Sequence, residues 1–104
     1  VGLKNKHVIE DSVTEYLKKE ESNYRVVIAA AGLSAALPGV VASLVRLPVI
    51  GIPLVAGPLS GIDALLSILQ LPKGIPVATM GIGKQGVLNA VHLAERIIRS
   101  SAVS

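Results

Sequence analysis

Two histidines, one aspartate at the start of a helix and a run of small residues carry whatever chemistry this sequence can do. His7 sits in the polar stretch Lys4, Asn5, Lys6, His7, ahead of the first helical periodicity. A histidine near a terminus is usually just solvated. Even so, His7 is the one acid/base candidate whose unperturbed pKa suits proton transfer near neutrality. His92 shares a helical face with Gln85, Asn89 and Arg96, which reads as a solvated surface. Asp63 follows Gly61 at a helix start, where the helix dipole favours a carboxylate, and capping is its default role. The spacing supports no Ser/His/Asp arrangement and no metal-ligand cluster. With no cysteine in the chain, disulfides, thiolate metal sites and cysteine nucleophiles are excluded.

The small residues are Ala31, Gly32, Leu33, Ser34, Ala35, Ala36, Leu37 and Pro38. They follow an apolar segment and feed a helix, so free backbone N–H groups there can hold a carboxylate, a phosphate or a CO2-like group. The same composition also suits a tight turn whose side chains are small because helices crowd it, and the residues alone do not choose between the two. Gly81, Gly83 and Gly86 match the dinucleotide-fingerprint spacing between a strand and a helix. That fingerprint is answered by an acidic residue about 20 positions later, and nothing acidic follows Glu95. The glycines therefore read as a tight strand-to-helix turn.

The elements that must position these groups follow from periodicity. Ile9, Val13, Tyr16 and Leu17 share one helical face, and the helix ends in the polar residues 20–23. Strands are predicted at residues 25–30, 48–54 and 75–80. Each is followed by a helix: a short one at 38–43 opened by Pro38, one with Ile62, Leu65, Leu66 and Leu69 on a face, and a long one at 87–99. The apolar face of the last is Val87, Ala90, Val91, Ala94 and Ile98. Strands separated by helical crossovers imply a parallel sheet with right-handed connections. Ligands bind at the carboxyl ends of such strands, here the loops starting at Ala31, Val55 and Gly81.

The 104 residues make one domain, half of them hydrophobic, with Tyr16 and Tyr24 as the only aromatics. A core of Val, Ile, Leu and Ala suits parallel strands covered by helices. So much apolar surface in so short a chain predicts an oligomer. The net charge of +3 is scattered, without a basic run, which argues against nucleic-acid binding and leaves room for a small anionic substrate. Residues 26–45 carry no charge, long enough for a membrane span. Gly32, Ser34 and the pair Pro38, Gly39 break that run, and its β-branched clusters read as buried strands. The absence of cysteine fits a cytosolic protein. A start at Val1, without initiator Met or signal-peptide pattern, reads as a fragment or trimmed chain.

Three segments together carry a resemblance. Residues 31–44, from Ala-Gly-Leu-Ser-Ala-Ala-Leu-Pro-Gly onward, look like the substrate loop and following helix of the PurE family. Residues 48–53 resemble that family's next strand, and residues 61–79 its most distinctive segment; Met80, Gly81, Ile82, Gly83, Asn89 and Ala90 continue in register. The resemblance runs from about residue 26 to 98. It implies a three-layer α/β/α sandwich with a parallel, flavodoxin-like sheet, a single domain over residues 1–104, assembled as a homo-octamer in the cytoplasm. The family interconverts N5-carboxyaminoimidazole ribonucleotide and its C4-carboxylated isomer, or carboxylates aminoimidazole ribonucleotide with CO2, with neither metal nor organic cofactor. It works on a small ribonucleotide and CO2 or bicarbonate, away from nucleic acid and membrane.

By the same resemblance His7 falls where the family's proton-shuttling histidine stands, since Glu15 and Tyr16 keep the expected spacing. Residues Ala31, Gly32, Leu33, Ser34, Ala35, Ala36, Leu37 and Pro38 would form the substrate loop. Three positions depart from the pattern: Val8 replaces a phosphate-contacting arginine, Lys6 an alanine, and Ala36 a second loop histidine. The family's first strand, its Ser/Asp-rich phosphate loop and its final helix have no counterpart in these residues. Two alternatives therefore stand beside the carboxyl-transferring enzyme: a related carboxylase of nickel-pincer cofactor synthesis, and a non-catalytic PurE-like oligomer.

Overall fold

The computed structural model describes residues 11–33 and 35–103, with the backbone alone for 101–103. The uncharged run of residues 26–45 is not one helix. It divides into strand β1 (Val27–Gly32), a turn, and helix α2 (Leu37–Leu44). Ahead of them lie α1 (Asp11–Glu20) and a 3-10 turn at Glu21–Asn23; after them come β2 (Val49–Leu54), α3 (Ile62–Leu69), β3 (Ala78–Thr79) and α4 (Gly83–Val103). The three strands form a parallel sheet in the order β1-β2-β3. Among the described residues no helix is long and apolar enough to cross a membrane.

The central strand explains the layering. β2 is buried at all of its positions but Leu54, as a parallel strand covered on both faces must be. Val49 joins Ala29, Leu37, Val41 and Val45 in a cluster on one face, against which Val13 and Leu17 of α1 pack. Gly51 turns to the same face, where a Cβ would sit 3.1 Å from Ile68 Cδ1, 3.1 Å from Val77 Cγ1 and 3.2 Å from Pro38 Cβ. Ile50 and Ile52 point the other way, into Ala90 and Ala94 of α4, with Leu93 and Ile97 alongside. Helices α1, α2 and α3 thus lie on one side and α4 on the other, giving the three-layer α/β arrangement.

Several boundaries differ from the periodicity. β1 begins and ends two residues later than predicted, in register from Val27↔Val49 to Gly32↔Leu54. β3 is reduced to two residues, because Ile75 N–H is spent on a turn to the Pro72 carbonyl and Pro76 has no N–H to give. Helix α4 starts at Gly83, so that part of the glycine-rich segment assigned to a loop is its first turn. Its buried stripe is Gly86, Ala90 and Ala94; Val87, Val91 and Ile98, predicted for the apolar face, are exposed. Small residues let the helix approach β2 closely, and a three-stranded sheet is too narrow to cover the bulky neighbours as well. Tyr16, also predicted for a buried face, is 53% exposed, and its hydroxyl lies 3.0 Å from that of Tyr24. That hydrogen bond raises the Tyr16 pKa above the usual phenol value.

Two substitutions calibrate this core. Ile50, fully buried between β2 and α4, should lose about 3 kcal/mol on Ile50→Ala. Ile62→Ala, on the exposed side of α3, should stay within about 0.5 kcal/mol of wild type. Urea unfolding followed by circular dichroism measures both.

Candidate active site at the carboxyl rim of the sheet

The register brings the ends of β1 and β2 to one level, Ala31 opposite Pro53 and Gly32 opposite Leu54. The turn at 33–36 and the loop at 55–61 therefore leave the sheet side by side. They touch through glycines: a Cβ at Gly32 would stand 2.6 Å from Ala56 Cβ, and one at Gly57 only 2.8 Å from Leu33 Cδ2. The third loop joins them at Gly61, where a Cβ would meet Ile82 Cγ2 at 2.8 Å and Val55 Cγ2 at 3.3 Å. All three strand-to-helix loops thus converge on the rim where parallel sheets bind ligands.

The turn after β1 is closed by the Ala35 N–H donating to the Gly32 carbonyl at 2.9 Å. Leu33 (φ +52°) and Ala35 (φ +43°) both take the left-handed conformation, which costs an L-residue roughly 1–2 kcal/mol. Ser60 (φ +55°) does the same in the neighbouring loop. Every non-glycine residue with positive φ among those described lies at this rim, and strain of this kind gathers at functional sites. Ala35 is buried against Ala64 and Ile68 of α3, so the turn is fixed by packing from below. Leu33 stands out from it, half exposed.

Helix α2 then opens without a side-chain cap: Ala36 occupies the cap position, and Pro38 lies in the first turn. First-turn N–H groups are those a helix's own bonding does not use, and they form its positive end; Pro38 contributes none, and this end of α2 lies on the rim side of the sheet. Of the predicted loop residues, Ala35, Leu37 and Pro38 are buried, Ala31, Gly32 and Ala36 half-buried, and Leu33 exposed. Ser34 and His7 fall outside the described residues. His92 is exposed on α4, as a solvated residue should be.

Asp63 lies in the first turn of α3, behind Gly61 in the left-handed conformation. Its Oδ1 is buried with no hydrogen-bond partner among the described residues, which leaves the helix dipole as its compensation. The loop at 55–61 was not singled out for its own residues. Its signals are the pairs Gly57, Pro58 and Ser60, Gly61, which mark turns without telling which surface they face. A cavity of about 650 Å³, lined by Arg46, Pro48, Val49, Gly74 and Pro76 among others, lies at the opposite rim. Strand direction outweighs volume here, because that rim carries the amino ends of β2 and β3 and none of the strand-to-helix loops.

The family described as AIR carboxylase matches residues 3–103. The chain belongs to the AIR carboxylase family. It is 51% identical over 79 residues to the N5-carboxyaminoimidazole ribonucleotide mutase of Escherichia coli K12, covering 76% of this chain and 47% of that protein. It is 50% identical over 93 residues to the mutase of Pyrococcus horikoshii, covering 88% of this chain and 51% of the relative. A 47% identity over 93 residues, 88% of this chain, links it to the bifunctional purine synthesis protein purC/E of Dictyostelium discoideum, of which it covers 9%. The chain spans about half the length of the mutases it matches.

The glycines of this AIR carboxylase rim separate strain from packing. A Cβ at Gly86 would run into the Gly81 backbone carbonyl, so Gly86→Ala should lower stability by about 2 kcal/mol or more. Ser60→Gly releases a left-handed L-residue on an exposed loop and should raise stability by roughly 0.5–1 kcal/mol. Thermal melts give the opposite signs directly.

Proposed function

We propose that this chain carries out the carboxyl transfer for which its relatives are named, interconverting N5-carboxyaminoimidazole ribonucleotide and the C4-carboxylated isomer, with direct carboxylation of aminoimidazole ribonucleotide by CO2 as the variant of the same chemistry. The observation that supports the proposal is the start of α2 at the carboxyl rim, where the N-cap residue Ala36 makes no side-chain cap hydrogen bond and first-turn N–H groups would serve an anion. The mutase name borne by relatives 43–51% identical to this chain favours this reading over nickel-pincer synthesis and over a non-catalytic oligomer.

In the isomerisation the N5–carboxyl bond breaks and a bond from C4 to the same carbon forms. A proton leaves C4 and one is taken up at N5, so atoms balance without any further reactant. The rim turn, Ala31 to Pro38 with Gly32 and Ser34, would hold the moving carboxyl group. His7 is assigned the proton at C4, since an imidazole titrating near neutrality can both take and return it. Lys6, the preceding residue in the sequence, would offer a cation for the phosphate in place of the family's arginine at Val8. We assign neither metal nor organic cofactor to the reaction.

The exposed apolar side chains Ile62, Leu66 and Leu69 of α3, and Val87, Leu88, Val91 and Ile98 of α4, fit burial against further copies of the chain, for which we propose the octamer. We place it in the cytoplasm, where a chain without cysteine is at home.

The assay mixes the purified chain with the N5-carboxylated ribonucleotide, or with aminoimidazole ribonucleotide and bicarbonate, and follows the C4 carboxylate. Turnover should fall by about 10²–10⁴ in His7→Ala and hold in His92→Ala; absence of the C4 product from the wild-type chain overturns the proposal. Light scattering after gel filtration should give an octamer, and Leu66→Glu together with Val91→Glu should break it down to smaller species.

A further inference from the structure

The polar face of α4 that the sequence assigns to solvent is concave. Asn89, His92 and Arg96, together with Leu93 and with Met80 just after β3, line a cavity of about 490 Å³, a size that suits a small molecule. Its origin lies in the sheet. β3 is an outer strand and keeps only two residues, whereas α4 runs for 21, so little strand lies beneath that flank of the helix. At about 100° per residue, Asn89, His92 and Arg96 fall on one side of the buried stripe of Gly86, Ala90 and Ala94. Val87, Val91 and Ile98, which fit burial against further copies, fall on the other. None of the described rim residues lines this cavity.

The donors there have no protein partner. Arg99, one turn on, is paired with Glu95 at 2.9 Å; the side chains of Arg96, His92 and Asn89 make no hydrogen bond or ion pair among the described residues. No carboxylate lines the cavity, and the adjacent Glu95 is held by Arg99. Arg96 therefore disfavours a cation and invites an anion. Its planar fork of N–H groups matches phosphate oxygens, and an imidazole and a carboxamide can each add an N–H. Three donor side chains answer the three terminal oxygens of a phosphate monoester, where a carboxylate offers two. We propose that this concavity binds a phosphate monoester, with Arg96, His92 and Asn89 on the phosphate and the apolar Met80 and Leu93 against the rest of the molecule. A flat ring laid on Met80 gains contact with its polarisable sulfur.

The test titrates the chain with adenosine monophosphate and, separately, with inorganic phosphate, by isothermal calorimetry. Both should bind saturably, the nucleotide about fivefold or more tighter through Met80 and Leu93, and both should weaken as salt rises. Arg96→Gln should lose about tenfold or more for either ligand, while Arg99→Gln, whose arginine is already engaged by Glu95, should keep the wild-type affinity. Met80→Ala should remove the nucleotide's advantage and leave inorganic phosphate unchanged. Met80, Arg96 and Arg99 are exposed, so none of these substitutions should lower the melting temperature. Absence of saturable binding to the wild-type chain overturns the site. Nucleotide binding that survives Arg96→Gln and falls in His7→Ala puts the phosphate at the rim and overturns it too. So does an Arg96→Gln chain whose only change is a smaller species in light scattering, which makes the face a subunit contact. Each of these results is read whether or not the chain forms the C4 carboxylate.

Discussion

The absence of a side chain at Gly51, in the middle of the strand that both faces of the sheet share, sets the spacing of everything around the site. Ile68 from α3, Val77 ahead of β3 and Pro38 from α2 all close on that one position, within 3.1–3.2 Å of where a Cβ would be. Two helices can lie on the same face of so narrow a sheet only if the strand between them gives up volume. Because both lie there, their amino ends leave the sheet at one rim, a turn or a loop away from β1 and β2. Convergence of the loops is therefore a packing result before it is a functional one.

Close approach recurs at the rim itself. Gly32, Gly57 and Gly61 each sit where another loop's side chain would collide with a Cβ, while Leu33, Ala35 and Ser60 accept a conformation for which glycine is better suited. Packing from below holds part of this strain in place, through Ala35 against Ala64 and Ile68. The core contributes the stability that the rim gives up, the usual division between scaffold and site.

The fold was largely legible because its signals are local and repeated. Pro38 marked a helix start, β-branched clusters marked β1 and β2, and glycine and proline pairs marked the breaks. The failures have a common physical origin: periodicity tells which residues are apolar and says little about how much neighbouring surface exists to cover them. On α1, Val13 and Leu17 pack against the core cluster, while Tyr16 stays 53% exposed and meets only the Tyr24 hydroxyl among the contacts described. Val87, Val91 and Ile98 belong to an apolar arc wider than the strand that α4 packs on. At β3, the hydrophobic pattern was right but Pro76 removed the donor a longer ladder needs. Composition pointed to the small residues 31–38, which the structure divides between the end of β1, a turn and the start of α2. The left-handed backbone of Leu33 was not legible, because leucine carries no preference for that conformation and only the pressure of the 55–61 loop reveals it.

The absent cap of α2 closes the argument from packing to chemistry. A Ser, Thr, Asp or Asn at a helix start typically gains about 1 kcal/mol over alanine by filling an unpaired N–H, and Ala36 forgoes it. The backbone at Ala36 is itself helical, at φ −73° and ψ −22°, whereas a capping side chain works from an extended residue, so the turn geometry accounts in part for the alanine. Under the proposed reading, a cap would occupy the N–H groups meant for the substrate's carboxylate. Gly32 and Ala35 are small for packing reasons: a side chain at Gly32 would strike Ala56, and Ala35 is buried against Ala64 and Ile68. Small residues here thus answer crowding from two sides, α3 beneath Ala31 and Ala35 and the 55–61 loop beside Gly32.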